Sequence, residues 1–156
     1  FEIDGEQYVT VVAGWGGAFA LTAAAAEGYK LKSRGRILTY KLGGQAELPP
    51  VVDVAAVLPE PPPIGATDEE IAHGKFMKHK YSGVCLGPGV RLGGVLPDLR
   101  YMASGKHIVF EDIVLGGILQ DRGMVSFASS LTKEDSRAVH QYVISEAHRL
   151  KSRSGN

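Results

Sequence analysis

Six prolines fall within fifteen residues, Pro49, Pro50, Pro59, Pro61, Pro62 and Pro63 of "PPVVDVAAVLPEPPP". Each ring fixes φ and removes a backbone donor, so neither a helix nor a central strand can run through this stretch. Extended, polyproline-like backbone is what remains. The chain is thereby divided into an amino-terminal piece at 1–48, a linker at 49–65, a second piece at 66–150 and a short basic tail at 151–156. The apolar linker residues Val51, Val52, Val54, Val57 and Leu58 predict a segment packed along a surface rather than free in solvent.

The two pieces differ in kind. "YVTVVAG" at 8–14 is rich in β-branched and aromatic residues and ends in glycine, which predicts a buried strand. "RILTYKL" at 36–42 alternates, with Leu38, Tyr40 and Leu42 on one face and Ile37, Thr39 and Lys41 on the other. Between them lie Gly14-Trp15-Gly16-Gly17, an Ala-rich loop and the basic stretch Lys30 to Arg36, too long for a tight hairpin. Two strands cannot cover their own apolar faces, so 1–48 must lean on something else. After the linker, Thr67-Asp-Glu-Glu70 is a capping box that opens a helix running to about Tyr81. Its Ile71, Gly74, Met77 and Tyr81 form one inner stripe, in which Gly74 lets another helix approach closely. Thr132-Lys-Glu-Asp135 starts a second helix to about His148, with Ala138, Val139, Tyr142, Val143 and Ala147 inward. A helix at each end with Gly- and Pro-rich loops between them makes a small all-α domain. The segment from His148 to Arg153 is expected to be a solvated, frayed end.

Composition removes several function classes. Lys+Arg and Asp+Glu both count 17, so net charge gives no argument for nucleic acid or an anionic membrane. The longest weakly polar run, Ala18 to Ala26, is far shorter than the roughly twenty residues of a spanning helix. The chain opens on Phe1-Glu-Ile-Asp, without initiator Met or a leader-like h-region, which is the character of mature or internal sequence. The single Cys85 excludes an intrachain disulfide, a zinc site built from several thiolates, and a haem held by two thioether links. Cys85 reads as a small buried hydrophobe before it reads as a reactive thiol, since no His or Arg is adjacent. No phosphate-cradling loop, Ser-His-Asp order or metal-binding helix is readable.

"AGWGGAFAL" at 13–21, "GRILTYKLGG" at 35–44, "GGVLPDLR" at 93–100 and "GMVSFA" at 123–128, in this order around the linker, resemble the C-terminal part of the quinohemoprotein alcohol dehydrogenases. The resemblance covers nearly the whole chain. It implies a mixed fold: terminal β-strands of an eight-bladed propeller at 1–48, the rest of which is not in this chain, then the Pro-rich linker, then an all-α class I cytochrome c-like domain at 66–150. It also implies a periplasmic enzyme that uses pyrroloquinoline quinone (PQQ) and Ca2+, bound mainly by upstream residues together with the catalytic carboxylate. No catalytic residue is expected in this segment. Trp15 and Gly16 would border the PQQ pocket, although Trp15 reads equally as a propeller-packing aromatic.

In the second piece the family pattern is Cys-x-x-Cys-His after the first helix, followed later by a Met ligand. Here the first cysteine falls on Ser82, the second on Cys85 and the histidine on Leu86, while Met124 matches the distal ligand. Ser82 cannot form a thioether and Leu86 has no lone pair for iron, so covalent haem is expected to be absent and Cys85 and Met124 mark a vestigial site. Met124 reads first as core filler, because a lone thioether holds iron weakly. His73 and His79 on the first helix, His107 in a loop, and His140 and His148 on the last helix are not at the motif's spacing and read as surface or satisfied histidines. Lys78 stands where the family usually has an aromatic at the helix contact. A domain that loses haem loses buried apolar area, which side chains such as Leu86 must replace.

The expected function is the C-terminal portion of a PQQ-dependent dehydrogenase oxidising a small alcohol, its cytochrome-like domain kept as a structural cap over the propeller. Electrons would then pass to an external acceptor such as a soluble cytochrome. Two alternatives stand beside it: an electron-transfer domain with unusual haem ligation, and a non-catalytic subunit whose strands complete another chain's propeller.

Overall fold

The computed structural model describes residues 1–14, 35–50, 56–86, 88–90 and 97–154, and for 84–86 and 88 the backbone alone. Strands β1 (Glu2–Ile3), β2 (Glu6–Ala13) and β3 (Arg36–Lys41) form an antiparallel sheet in the order β1-β2-β3. The predicted pair is present, with Tyr8 opposite Lys41, Val11 opposite Leu38 and Ala13 opposite Arg36. Strand β1 was not anticipated. Its signal is Asp4-Gly5, both at positive φ (53° and 78°), the two-residue turn whose twist matches a hairpin. Across β2 and β3 the hydroxyls of Thr10 and Thr39 lie 3.0 Å apart, and Glu6 pairs with Lys41.

The expectation of a buried strand is corrected. Val12 (80% exposed) and Ile37 (74%) share one face, while Val9 and Tyr40 stand exposed on the other. Three short strands cannot close both faces of a sheet, and the described residues leave both open. Leu42, beyond β3, is exposed as well.

Of the apolar linker residues predicted to pack, Leu58 is half-buried and Val57 is exposed, and the described linker meets the helical piece chiefly at 58–62. Pro61 is buried, the Gly65 N–H donates to Gln141 Oε1 (2.9 Å), His148 Nε2 donates to the Pro62 carbonyl (2.8 Å), and Lys151 pairs with Glu60. Val51, Val52 and Val54 lie outside the described residues. These contacts correct the reading of the tail: instead of fraying after His148, the last helix continues to Ser154, anchored by His148 and Lys151.

Helix α1 (Asp68–Leu86) begins at the predicted capping box, the Thr67 N–H donating to Glu70 Oε2 (2.8 Å) and the Glu70 N–H to Thr67 Oγ1 (3.2 Å). Three acidic residues in its first turn suit the positive end of the helix dipole. The connection to the last helix carries more structure than the predicted loops. It holds single turns at Pro88–Val90, Leu99–Tyr101 and Gln120–Arg122, and two short helices, α2 (Ser104–Ile108) and α3 (Phe110–Val114). His107 therefore sits on a helix, not in a loop. Helix α4 (Lys133–Ser154) starts where Thr132 Oγ1 accepts from the Asp135 N–H (3.1 Å).

Helices α1 and α4 cross at Gly74. A Cβ there would lie 2.0 Å from the Ala138 carbonyl oxygen, so only glycine permits this approach. All five inward residues predicted for α4 are buried. The core has two parts: Phe110, Val114, Leu131 and Val139, with Met77 and Tyr81 against them, and Val90, Tyr142 and Val143, with Ile71 and Leu99 against them. Met102 touches both parts.

Candidate functional site

The degenerate haem-attachment stretch occupies the end of α1. Ser82 departs from helical geometry (φ −133°, ψ 15°), and its hydroxyl donates to the Lys78 carbonyl one turn back (3.0 Å). A serine turned onto its own helix in this way satisfies itself locally and bends the backbone. It presents no group that could bond a porphyrin vinyl. Cys85 and Leu86 follow on the last turn of α1. The next turn strains the chain: Gly89 (φ 62°) and Val90 (φ 53°) are both left-handed, and Val90 is a β-branched residue held there by full burial against Tyr142 and Val143.

Met124 lies on the far side in sequence, half-buried after the Gln120–Arg122 turn, which ends at left-handed Gly123. Its N–H donates to the Leu119 carbonyl (3.1 Å). Trp15 and Gly16, the predicted edge of the quinone pocket, lie outside the described residues. The donor set at 82–86 does not fit a c-type haem: one thiol, one hydroxyl already engaged, and an aliphatic side chain in place of the imidazole. Among the described residues, no cluster of three or more His, Cys, Asp or Glu could hold a metal ion.

Two polar arrangements escape sequence reasoning. The first centres on Glu146, which is only 7% exposed on the inner side of α4. Lys78 is buried from α1, and burial pushes its ammonium down to about 8 even though the Glu146 charge opposes that shift. Burial and Glu146 together push the Tyr142 phenol up to about 12, and Arg149 pairs with Glu146 at 2.7 Å. At the helix contact, where the sequence puts Lys78 in place of the family's usual aromatic, the fold has a charged knot. Its signal in the sequence was Lys78, four residues after Gly74 on the same stripe, yet its partner on α4 could not be named from spacing.

The second arrangement joins two histidines read as unrelated. His107 Nδ1 and His140 Nε2 are hydrogen-bonded at 2.8 Å, and the Phe110 ring stacks on His140 (4.3 Å, 10°). Burial lowers both imidazoles, that of His140 to about 4 with help from His107. The others are placed more nearly as expected. His73 bonds Asp135 at 2.7 Å, tying α1 to α4, and His79 bonds the Lys75 carbonyl one turn back on α1. The Thr132 N–H, then His73, hold the Asp135 carboxyl below its usual range. A groove of about 320 Å³ beside them, lined by Glu69, Glu70, His73, Glu134 and Arg137, contains none of the residues predicted for a site.

No protein-family model matches the chain. Among characterised proteins it is 42% identical over 154 residues to quinohemoprotein alcohol dehydrogenase ADH-IIG of Pseudomonas putida, covering 96% of this chain and 21% of that protein. It is 37% identical over 150 residues to quinohemoprotein alcohol dehydrogenase ADH IIB of the same organism, covering 95% and 22%. The solved structure of ADH-IIG superposes with a TM-score of 0.78 at 40% identity, over 97% of this chain and 22% of that one. The chain thus spans about a fifth of the length of the curated relatives it matches. The kinship read from "AGWGGAFAL", "GRILTYKLGG" and "GMVSFA" is borne out.

Proposed function

We propose that this chain, a homologue of the quinohemoprotein alcohol dehydrogenases over nearly its whole length, is the C-terminal portion of a periplasmic PQQ-dependent dehydrogenase that oxidises a small alcohol. The observation that carries the proposal is the 42% identity over 96% of the chain to a protein of that activity. Residues 1–48 are the last strands of the propeller, 49–65 the linker, and 66–150 a cytochrome c-like domain that no longer holds covalent haem and serves as a cap. Support for the haem loss comes from the donor set: Ser82 is committed to the Lys78 carbonyl, Cys85 is the only thiol, and Leu86 offers no nitrogen.

PQQ, where bound, supplies the two-electron acceptor for alcohol oxidation, with Ca2+ beside it, and both are held mainly by residues upstream of this chain. Trp15 and Gly16 are its contribution to the pocket edge. The helical piece contributes position. Its strap at 60–65 is fastened to α4 by Gly65, Pro62 and Glu60, so the cap is held by the segment that leads back to the strands. Without haem the reduced quinone passes its electrons to a separate soluble carrier. The open faces of β2 and β3 suit completion of a propeller, whether the remainder lies in the same chain or in another.

The test combines spectroscopy and turnover on the whole protein that carries this sequence. The expected result is PQQ- and Ca2+-dependent dye reduction by primary or secondary alcohols, with no Soret band and no haem stain on a denaturing gel. A positive pyridine haemochrome spectrum overturns the haem loss. Failure of every alcohol to reduce the dye in PQQ-loaded protein overturns the enzymatic reading.

A further inference from the structure

We propose that His107 and His140 form a proton-operated latch that fastens the short helix α2 to α4 and opens as the pair becomes doubly protonated. The inference stands on the helical piece alone and does not depend on the quinone or haem readings.

Helix α2 has five residues, too few to persist by itself, and its N-cap Ala103 makes no side-chain capping bond. Ser104, Gly105, Lys106 and Ile108 are all exposed, Ile108 at 84%. His107 is the one residue of α2 turned inward, and its partner belongs to α4, 33 positions later. The geometry at that contact is specific. A centroid separation of 5.1 Å is what a 2.8 Å N···N contact plus the two ring radii makes, so the bonded nitrogens lie near the line joining the rings. That is a straight N–H···N bond between a donor and an acceptor imidazole. It is not the bent arrangement in which two nitrogens converge on one metal ion. Phe110, buried on α3, covers one face of the half-buried His140 ring.

Such a pair contains one bridging hydrogen. An added proton can reside on a remote ring nitrogen, but with both rings protonated two N–H groups face each other and the bond cannot exist. The charged groups on the adjoining elements include Lys106 on α2, Glu111 and Asp112 on α3, Arg137 within one turn of His140 on α4, and Lys78 on α1. Glu111 is engaged with Lys133 at 3.1 Å, and Lys78 feels Glu146. The influences on the two imidazoles themselves are burial, the charge of His107 on His140, and a hydrogen bond from His107 to the Met102 backbone. The closed latch accommodates at most one extra proton and the open one holds two. Each pH unit of acidification between the ordinary imidazole pKa and about 4 therefore favours opening by at least about tenfold.

Amide hydrogen exchange on the full chain, corrected for the intrinsic effect of pH and followed from pH 7.5 to 4.5, tests the latch. Protection over 104–109 should fall at least about tenfold, while the amides of α1 and of α4 beyond Val143 keep theirs. His140→Gln, which retains a donor and an acceptor without titrating, should flatten that loss. His107→Ala should leave 104–109 unprotected at both ends of the range. Unchanged protection in the wild type, a parallel loss across α1 and α4, or a pH response that survives His140→Gln would each overturn the proposal. Should the glutamine variant not fold, imidazole titration of the wild-type chain by NMR decides. Depressed, mutually dependent midpoints support the latch, and two independent midpoints near the ordinary value reject it.

Discussion

The strand region and the helical region draw on similar residues and end in opposite environments. Val12 and Ile37 face each other across β2 and β3 and remain largely exposed, whereas Val143 and Tyr142 on α4 are almost fully buried. Hydrophobicity does not separate them. What differs is whether a second surface lies within reach in the same chain. Helix α4 has α1, α2, α3 and the proline strap around it, while among the described residues β2 and β3 have only each other and a two-residue β1. The helical piece carries its own core. The strands leave both faces of their sheet open among the described residues, which the proposed place in a propeller would cover.

Substitutions can break this comparison at graded depths. Gly74→Ala should have the largest effect, because a methyl group 2.0 Å from the Ala138 oxygen forces α1 and α4 apart. We expect a loss of at least about 3 kcal/mol, read by chemical denaturation. Glu146→Ala removes the carboxylate acting on both Lys78 and Tyr142 and should cost about 3–5 kcal/mol. Lys78→Met, which removes the buried ammonium but leaves Glu146 its Arg149 partner, should cost less than Glu146→Ala. A large loss for Lys78→Met would mean that the charge organises the crossing.

The same knot sets an alkaline stability profile. Burial lowers the Lys78 pKa in the fold, so between about 8 and the ordinary lysine value of 10.5 the unfolded chain binds more protons and stability rises with pH, by up to about 3 kcal/mol. Burial raises the Tyr142 pKa to about 12, so above the ordinary tyrosine value of 10.0 the unfolded chain loses protons first and stability falls. Melting temperature against pH should therefore peak near 10, and a profile flat from 8 to 11 would contradict both shifts. Thr67→Ala, which removes the α1 cap, should cost about 1 kcal/mol. Smallest of all, Val12→Thr and Ile37→Thr should change the unfolding of this chain by no more than about 0.5 kcal/mol. Within the proposed propeller the same pair should be costly, because the sheet would then have a surface to pack against.

Much of this was legible in the sequence because it was local. A run of proline rings leaves no room for a helix interior or a central strand, so the linker could be placed from 49–63 alone. The capping boxes at Thr67 and Thr132 involve residues three apart, and the inner stripe of α4 follows from helical period. The degenerate haem stretch was legible too, since Ser82, Cys85 and Leu86 are judged by chemistry rather than by neighbours. Some local signals were passed over, notably Asp4-Gly5, which specifies the turn before β2.

What only the tertiary structure decided were pairings across long separations. Nothing in the spacing of His107 and His140 marks them as partners, and the same is true of Lys78 and Glu146, or of His148 and Pro62. A buried polar group is defined by what surrounds it, and its surroundings come from other parts of the chain. The sequence by itself therefore determined the division into two unlike pieces, the helix starts, and Ser and Leu at positions 82 and 86, on which the proposed haem loss rests. Tertiary packing alone decided which charges and imidazoles meet, because their desolvation and hydrogen bonding exist only once α1 and α2 have been brought against α4.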